Sequence, residues 1–545
     1  MKKRIIIGLI AIGTLFSGFK AAEDYFEVTK NLDIFATVYR EVNVSYVDEV
    51  KPGELIRVAI DGMLKSLDPY TNFYSEAQAE DYRYEVTGSY AGIGSTIRKQ
   101  GEFIVIDRPY EGFPAQKAGL RAGDRILEVD GKAVTGKSSS ELTKLLKGNA
   151  GTPVTLKIDR PEVGEQTLTF NRAKIQLKNV PYFGKIDDKT GYIQLTGFTP
   201  NAGKEVADAL RKLKDENIEQ VILDLRGNGG GLLHEAINIV NVFMPKGKKV
   251  VSTKGKEKEK DKIYKTINSP IDIEIPLIVL INGRSASASE IVSGSIQDFD
   301  RGVLVGTKSY GKGLVQTTRM LSYNTQMKIT TSKYYIPSGR CIQKLDYAHK
   351  KNGKAVVVSD SLKRTFLTTN GREVIDGEGV TPDVTKGAKK LAKVSQSLIR
   401  KDLIFDYATH YRNKHSEIAQ PLQFNMTDAD FDDFLAFIRD KDYTYETETE
   451  KAIVALEEKS KDEQYFEGMA AQIAQLRKEL GEHKQNDIQK HKQEILELLE
   501  TEISRRYYYQ RAQVESTFDD DADIQESLAI FADQNRYNAI LSGNR

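Results

Sequence analysis

The sequence predicts a multidomain α/β protein, and three observations carry that reading. Strands and helices alternate from about residue 176 to 400, as in a sheet covered by helices. A β-rich block with turn glycines precedes this region, from about 86 to 175. Helical sequence flanks both, before residue 86 and, strongly charged, after 400. The chain has 545 residues, which suits three or four units at roughly 100–200 residues each. The expected division is 1–22, 23–85, 86–175, 176–400 and 401–545.

The elements follow in order. Lys2, Lys3 and Arg4 precede the apolar run Ile5 to Phe16, a charged n-region before an h-region. The run is short for a membrane span. Gly18-Phe19-Lys20-Ala21-Ala22 offers no clean small-residue cleavage site. A cleaved signal peptide and an uncleaved anchor both stay open, and either implies export to the periplasm or cell envelope. Phe35, Val38, Tyr39, Val42 and Tyr46 recur at helical spacing, as do Ile56, Ile60, Met63 and Leu67. Leu67-Asp68-Pro69-Tyr70-Thr71 breaks the pattern.

In the β-rich block, Phe103 to Ile106 is a strand and Pro114 to Leu120 a helical turn. The strand Arg125 to Val129 sits between Gly-Asp and Asp-Gly turns. Ser138 with Glu141 starts a helix with a capping box. Val154 to Ile158 and Thr167 to Phe170 alternate as strands. Beyond 176 come the strand Tyr192 to Leu195, an amphipathic helix Gly203 to Leu213, and the buried strand Val221 to Leu225. A Lys- and Glu-rich loop is expected at 254–262, then the strand Leu277 to Ile281, a helix to about Phe299, and the strand Met327 to Tyr335. Residues 401–545 read as a helical accessory domain; Ile495, Leu498 and Leu499 are too few for a coiled coil.

Composition excludes several classes. The formal net charge of +1 gives no electrostatic footprint for nucleic acid. One cysteine, Cys341, rules out an intrachain disulfide framework and a four-cysteine zinc site. Six scattered histidines form no ligand motif, so no metal and no cofactor is expected.

Four segments could carry chemistry. Asn282-Gly283-Arg284-Ser285-Ala286-Ser287-Ala288-Ser289-Glu290 ends an apolar strand and opens a helix. Free N–H groups at such a helix start suit a serine nucleophile whose attack creates an oxyanion, although plain N-capping explains serine there equally. Gly311-Lys312-Gly313 lies between apolar strands, where glycines permit close backbone approach. A lysine base must fall from about 10.4 to near 7, which requires roughly 4–5 kcal/mol of differential burial. A solvated turn lysine is the competing reading, and Lys308 is the neighbouring candidate. Gly227-Asn228-Gly229-Gly230-Gly231 can present N–H groups to an anion or form a plain turn; it lacks the Lys-Ser/Thr ending of a phosphate loop. His234 beyond it could in principle join a triad, but its helix needs that face. Tyr90-Ala91-Gly92-Ile93-Gly94 can cup a terminal carboxylate beside a strand edge, or be a β-turn.

Taken together these segments resemble the carboxy-terminal processing (tail-specific) peptidases over about residues 35 to 385. The resemblance rests on Leu67-Asp68-Pro69-Tyr70-Thr71, Gly92-Ile93-Gly94, Gly123-Asp124 and Leu223-Asp224-Leu225-Arg226 with its glycines. It continues through Ser285 to Glu290, Gly311 to Gln316, Tyr334 to Arg340 and Gly379-Val380-Thr381-Pro382-Asp383, in the family's order. The resemblance implies a crotonase-like ββα-spiral protease core with an inserted PDZ domain, between an N-terminal helical segment and a C-terminal helical domain. It implies Ser287 as nucleophile, Lys312 as general base and Gln316 as the group orienting that lysine. It implies an oxyanion hole from the N–H groups of Ala288 and Gly230, with Glu290 and Asp298 in support. Gly92, Ile93 and Gly94 would form the carboxylate loop that takes a polypeptide's free C-terminus, and homo-oligomers through the helical ends are compatible with it. Two other readings compete: a PDZ scaffold on an inactive protease fold, which should lack one of Ser287, Lys312 and Gln316, and a crotonase-type acyl-CoA enzyme, which a PDZ-like block and an export signal fit poorly.

Overall fold

A computed structural model describes residues 25–387 and 390–543. The segment 1–22, expected from the sequence to direct export, therefore lies outside the described residues. Among the described residues no helix is long and apolar enough to cross a membrane. The chain divides into two compact units.

The first unit holds the described residues up to Ala79 together with Gln316–Thr330 and Tyr347–Ala355. Residues 25–45 are helical, as is Pro52–Lys65, which starts on a proline whose missing N–H costs nothing at a helix N-terminus. The apolar residues that gave these helices their period are largely exposed, among them Phe35, Val38, Tyr46 and Met63. The break at Asp68 has a cause: its Oδ1 accepts the N–H groups of Tyr70 and Thr71, both at 2.8 Å. This Asx turn delivers the strand Asn72–Tyr74 antiparallel to Gln326, Met327 and Lys328.

The second unit is built on a six-stranded sheet. Its order is Tyr182–Lys185, Thr190–Gln194, Gln220–Asp224, Leu277–Ile281, Val303–Gly306 and Val384–Thr385. The first pair is antiparallel and the rest are parallel. The central strands are continuous apolar runs, Val221 to Leu223, Leu277 to Ile281 and Val303 to Val305, as suits a sheet covered on both faces. Val221, Leu223, Val279 and Ile281 face the helices Ala202–Asp215, Leu233–Phe243 and Ala288–Asp298. Ile222, Ile278, Leu280 and Val305 face Phe518, Ile524, Ile530 and Tyr537.

That second face is covered by the end of the helical segment 401–545. Helices Ala522–Ala532 and Gln534–Ser542 form one side of the core of the six-stranded sheet, while Lys393–Arg400 to Lys492–Glu515 build a separate apolar cluster around Tyr407, Phe434 and Leu499. The expected loop at 254–262 is also more ordered. Lys249–Gly255 and Lys262–Lys265 pair as a hairpin, and Ser252 to Gly255 continue onto Ser332 to Tyr335.

The β-rich block forms an antiparallel sheet of Ser95–Gln100, Phe103–Pro109, Arg125–Val129, Pro153–Arg160 and Gly164–Asn171 in that order. Helix Ser139–Leu146 carries the capping box expected from Ser138 and Glu141 and buries Leu142 and Leu146. Arg160 is the polar centre of this block. Its Nε and Nη2 donate to both oxygens of Asp124 at 2.7 and 2.8 Å, and Nη2 also reaches Gly119 O at 2.8 Å. Asp124 is 1% exposed, so removal of the arginine strands a buried carboxylate. Arg160→Ala should therefore destabilise this block by about 3–5 kcal/mol, read as a lowered midpoint in urea denaturation; an unchanged midpoint would show the pair to be dispensable.

Candidate active site

Strand Leu277–Ile281 ends in a turn whose three serines differ in environment. Ser285 Oγ donates to Leu225 O at 2.8 Å and Ser289 Oγ to Asn228 O at 2.9 Å, and both residues are fully buried. Ser287 between them is half-buried, at the N-cap of helix Ala288–Asp298. Its backbone is held at φ 56°, ψ −111°, a conformation non-glycine residues rarely adopt. The Ala288 N–H opens the helix and has no acceptor among the described residues.

The glycine-rich loop is locked onto this turn by Asn228. Asn228 O accepts from Ala286 N at 3.0 Å, and its Nδ2 donates to Leu195 O at 2.8 Å. Gly230 has φ +94°, and a Cβ there would lie 2.6 Å from Ala286 O and 2.8 Å from Ala288 N. Only glycine fits this close approach. The Gly230 N–H does not point to open space as expected: it donates to Asn228 Oδ1 at 2.9 Å. The loop's own Asx geometry satisfies the amide in this state.

Lys312 is half-buried between Gly311 and Gly313. Both glycines are contact-limited. A Cβ on Gly311 would lie 2.5 Å from Lys344 Cβ, and one on Gly313 would lie 2.8 Å from Gln343 N. Gly313 N donates to Gln343 Oε1 at 2.7 Å.

One buried carboxylate joins the serine turn to the lysine segment. Glu290 is 0% exposed. Its Oε2 accepts Ser287 N at 2.8 Å and Lys312 N at 2.9 Å; its Oε1 accepts Gly311 N at 2.7 Å and Ser309 Oγ at 2.5 Å. Burial pushes this carboxyl above its ordinary value, and the four donors oppose the shift. Three of the four donors are backbone amides, which cannot accept in return, so the geometry favours the ionised form. Tyr334 makes the converse link: its hydroxyl lies 3.0 Å from Ser287 O and 2.7 Å from Lys312 O. Burial pushes that phenol up, which keeps it a donor.

The competing lysine is tied elsewhere. Lys308 Nζ pairs with Glu378 at 2.7 Å, and Glu378 also pairs with Lys363 at 2.9 Å. Burial raises the Glu378 carboxyl, but the two lysines outweigh it and hold it down to about 2. Lys308 is thus engaged in an ion pair with Glu378. His234 is 64% exposed beside Glu235 and away from the serine turn's hydrogen bonds. Burial pushes the Cys341 thiol up, which disfavours a thiolate nucleophile. Among the described residues no group of three or more His, Cys, Asp or Glu could hold a metal ion.

Asp298 ends the same helix with a buried partner. Arg340 lies 2.9 Å from it, the pair being 1% and 0% exposed, and Ser338 N donates to Asp298 at 2.9 Å. Burial pushes the Asp298 carboxyl up and the Arg340 guanidinium down, each opposed by the partner's charge. Gln316 belongs to the other compact unit, where its Nε2 donates to Thr330 Oγ1 at 3.1 Å.

In the β-rich block, Gly92 ends a strand paired with Ala173, and Ile93 is buried. Gly94 has φ +76° and packs so tightly on Phe113 that a Cβ would lie 2.5 Å away. The carbonyls of Ile93 and Gly94 accept from Ala115 N and Tyr110 N at 2.8 and 2.9 Å. Their N–H groups have no acceptor among the described residues. Strand Ser95–Gln100, which follows, is an edge of its sheet.

Comparison with known proteins adds the class. Residues 189–348 match the model of peptidase family S41, residues 105–160 that of a PDZ domain, and residues 394–531 the model described as "Probable PDZ-protease, C-terminal helical domain". A carboxy-terminal-processing protease of Bartonella bacilliformis is 35% identical over 373 residues, spanning 68% of this chain and 83% of that protein. A Staphylococcus aureus (strain COL) protein described as "Probable CtpA-like serine protease" is 34% identical over 366 residues, 66% of this chain and 70% of that one. A solved photosystem II D1 C-terminal processing protease is 27% identical over 65% of this chain and 92% of that one, with a TM-score of 0.36. These matches define a serine peptidase with a PDZ domain. Within that class, the chain belongs to the carboxy-terminal-processing proteases of family S41.

Two outcomes test the site's construction. Gly230→Ala places a methyl against the serine turn's backbone at a positive φ, and should both lower the thermal midpoint and lower kcat at least about a hundredfold in the protein that remains folded; full activity would show that the close approach is not needed. For Glu378, the folded value of about 2 lies below the ordinary 4.5, so its stabilisation is present above pH 4.5 and is lost as pH falls towards 2. Glu378→Gln should flatten the stability profile in that window, measured by denaturation at stepped pH.

Proposed function

We propose that this protease cleaves the C-terminal tails of unfolded or envelope polypeptides, with Ser287 as nucleophile and Lys312 as general base. The observation that carries the reading is the Glu290 carboxylate, which accepts the N–H of both residues. That Ser287 alone among the turn's three serines is not fully buried supports the same choice.

The proposed chemistry runs in two halves. Neutral Lys312 takes the Ser287 hydroxyl proton as Oγ bonds to the scissile carbonyl carbon. The resulting oxyanion is held by the Ala288 N–H and by the Gly230 N–H, the latter exchanging its Asn228 acceptor for the substrate oxygen. The C–N bond breaks, the lysine returns the proton to the leaving amine, and an acyl-enzyme remains. Water then attacks the ester with Lys312 again as base. Gln316 is assigned to orient the lysine.

Recruitment follows from the PDZ domain. The unpaired N–H groups of Ile93 and Gly94, beside Gly92, favour a substrate's terminal carboxylate, and edge strand Ser95–Gln100 favours β-augmentation by its last residues. The core is proposed to follow the crotonase-like ββα spiral with the PDZ domain inserted after the first helices, within the boundaries expected from the sequence. Lys2 to Phe16 supports action outside the cytoplasm, in the periplasm or cell envelope. The exposed apolar side chains of helices 25–45 and Pro52–Lys65 support association with a second copy there.

Purified protein should degrade an unfolded reporter with a free C-terminus. Ser287→Ala and Lys312→Ala should each lower kcat/KM by about a thousandfold or more without changing the thermal midpoint. An amidated reporter C-terminus should slow cleavage chiefly through KM. Retained activity in either variant removes the Ser/Lys assignment, and indifference to amidation removes the recruitment step alone.

A further inference from the structure

A cleft away from the serine turn collects five arginines. Arg108 and Arg121 come from the PDZ block, Arg412 from helix Leu403–Lys414, and Arg505 and Arg506 from helix Lys492–Glu515. Its water-accessible volume is small, about 30 Å³, so the arginines crowd one another around it. Such an assembly is expensive unless negative charge balances it.

The protein supplies little of that charge. Arg505 Nη1 and Arg506 Nη1 share one carboxylate, Glu502, at 2.5 and 2.9 Å. Arg412 donates to the carbonyls of His415 and Ser416 and stacks over Tyr507, with no carboxylate. The side chains of Arg108 and Arg121 make no hydrogen bond or ion pair among the described residues. Asp107 also lines the cleft, but it accepts from Thr96 at 3.0 Å and lies 3.7 Å from Arg98. The Arg506 side chain is 2% exposed, yet its Nε has no partner; the Nε atoms of Arg108 and Arg505 are likewise buried and unpartnered. Burial first, and then Arg505, hold the Arg108 guanidinium below its ordinary value; burial holds Arg506 down to about 10.

A second observation marks the same place. Tyr509 lines the cleft and interrupts its helix at φ 52°, ψ −129°. Its hydroxyl accepts from Gln116 Nε2 of the PDZ block at 3.2 Å. Strained non-glycine residues of this kind cluster at ligand clamps.

We propose that this cleft is a binding site for a small phosphate-class oxyanion, held between the PDZ block and the C-terminal helices by Arg108, Arg121, Arg412, Arg505 and Arg506. Guanidinium forks match such an anion's oxygens bidentately. The bound anion would neutralise the mutual repulsion and fasten the PDZ block to the helices. Free phosphate and a phospholipid headgroup share this chemistry.

The test uses the full chain. Inorganic phosphate, titrated by calorimetry and by thermal shift at constant ionic strength against chloride, should bind saturably and raise the midpoint. Arg108→Gln should weaken that binding about tenfold, raise the midpoint without phosphate by relieving a buried cation, and move the phosphate-dependent rise to about tenfold higher phosphate. If instead the chain cosediments with phosphatidylglycerol vesicles, in a manner that Arg108→Gln weakens, the site stands and its ligand is the headgroup. No saturable binding in either arm, or binding unchanged by Arg108→Gln, overturns the proposal.

Discussion

Four donors converge on the buried carboxylate of Glu290: the amides of Ser287, Gly311 and Lys312 and the hydroxyl of Ser309. The serine turn and the lysine segment come from separate strand-to-loop transitions of the sheet, and no covalent neighbour keeps them in register. A charge-assisted acceptor does so, at a strength roughly twice that of a neutral hydrogen bond. Tyr334 completes the join from the other side, its hydroxyl facing the carbonyls of the same two residues. Between them, both peptide polarities of Ser287 and Lys312 are constrained. That over-determination is what lets Ser287 persist at a positive φ, a conformation that relaxes unless its surroundings hold it.

The constraint extends through helix Ala288–Asp298. Every residue of that helix is buried, so neither end can shift without moving the core. Glu290 anchors its first turn, and Asp298 fixes its last residue to Arg340. Beneath it the sheet is held from its opposite face by the final helices. Arg226, which begins the glycine-rich loop, pairs with Asp224 on its strand and with Asp521 and Asp523 at the start of helix Ala522–Ala532. The loop that packs on the serine turn is therefore braced by residues almost three hundred positions away. Removing the last helices would expose Ile222, Ile278 and Leu280 and unbalance Arg226 together.

Local patterns in the sequence carried much of this. The strands Val221 to Leu225 and Leu277 to Ile281, the capping box at Ser138 and the break at Asp68 are short-range features, and each appears where its residues place it. What was not legible depends on partners distant in sequence. Three serines at alternate positions look alike until burial engages two of them with Leu225 O and Asn228 O. Glu290 reads as an ordinary capping residue, because three of its four donors lie 19 to 22 positions on. Helices Ala522–Ala532 and Gln534–Ser542 are amphipathic whichever surface they cover, so their place in the sheet core could not be read from their period. The first helices show the opposite limit: a clear apolar period in which Phe35, Val38, Tyr46 and Met63 stay exposed.

The Gly230 amide shows how such a scaffold can discriminate between states of the proposed reaction. At rest it donates to a neutral amide oxygen, Asn228 Oδ1. A bond of that kind contributes about 0.5–1.5 kcal/mol net, whereas one to a charged group contributes about 1.5–3 kcal/mol. A ground-state substrate carbonyl is neutral and offers no gain over Asn228. The oxyanion of the tetrahedral intermediate does, so exchange of partners becomes favourable only as negative charge develops. Binding energy at this position is then realised in the transition state rather than in the bound substrate, which is the condition for raising kcat rather than merely lowering KM. Asn228 can perform this exchange without loosening the turn, since its backbone carbonyl and its Nδ2 remain engaged with Ala286, Ser289 and Leu195 while its Oδ1 gives up a single donor.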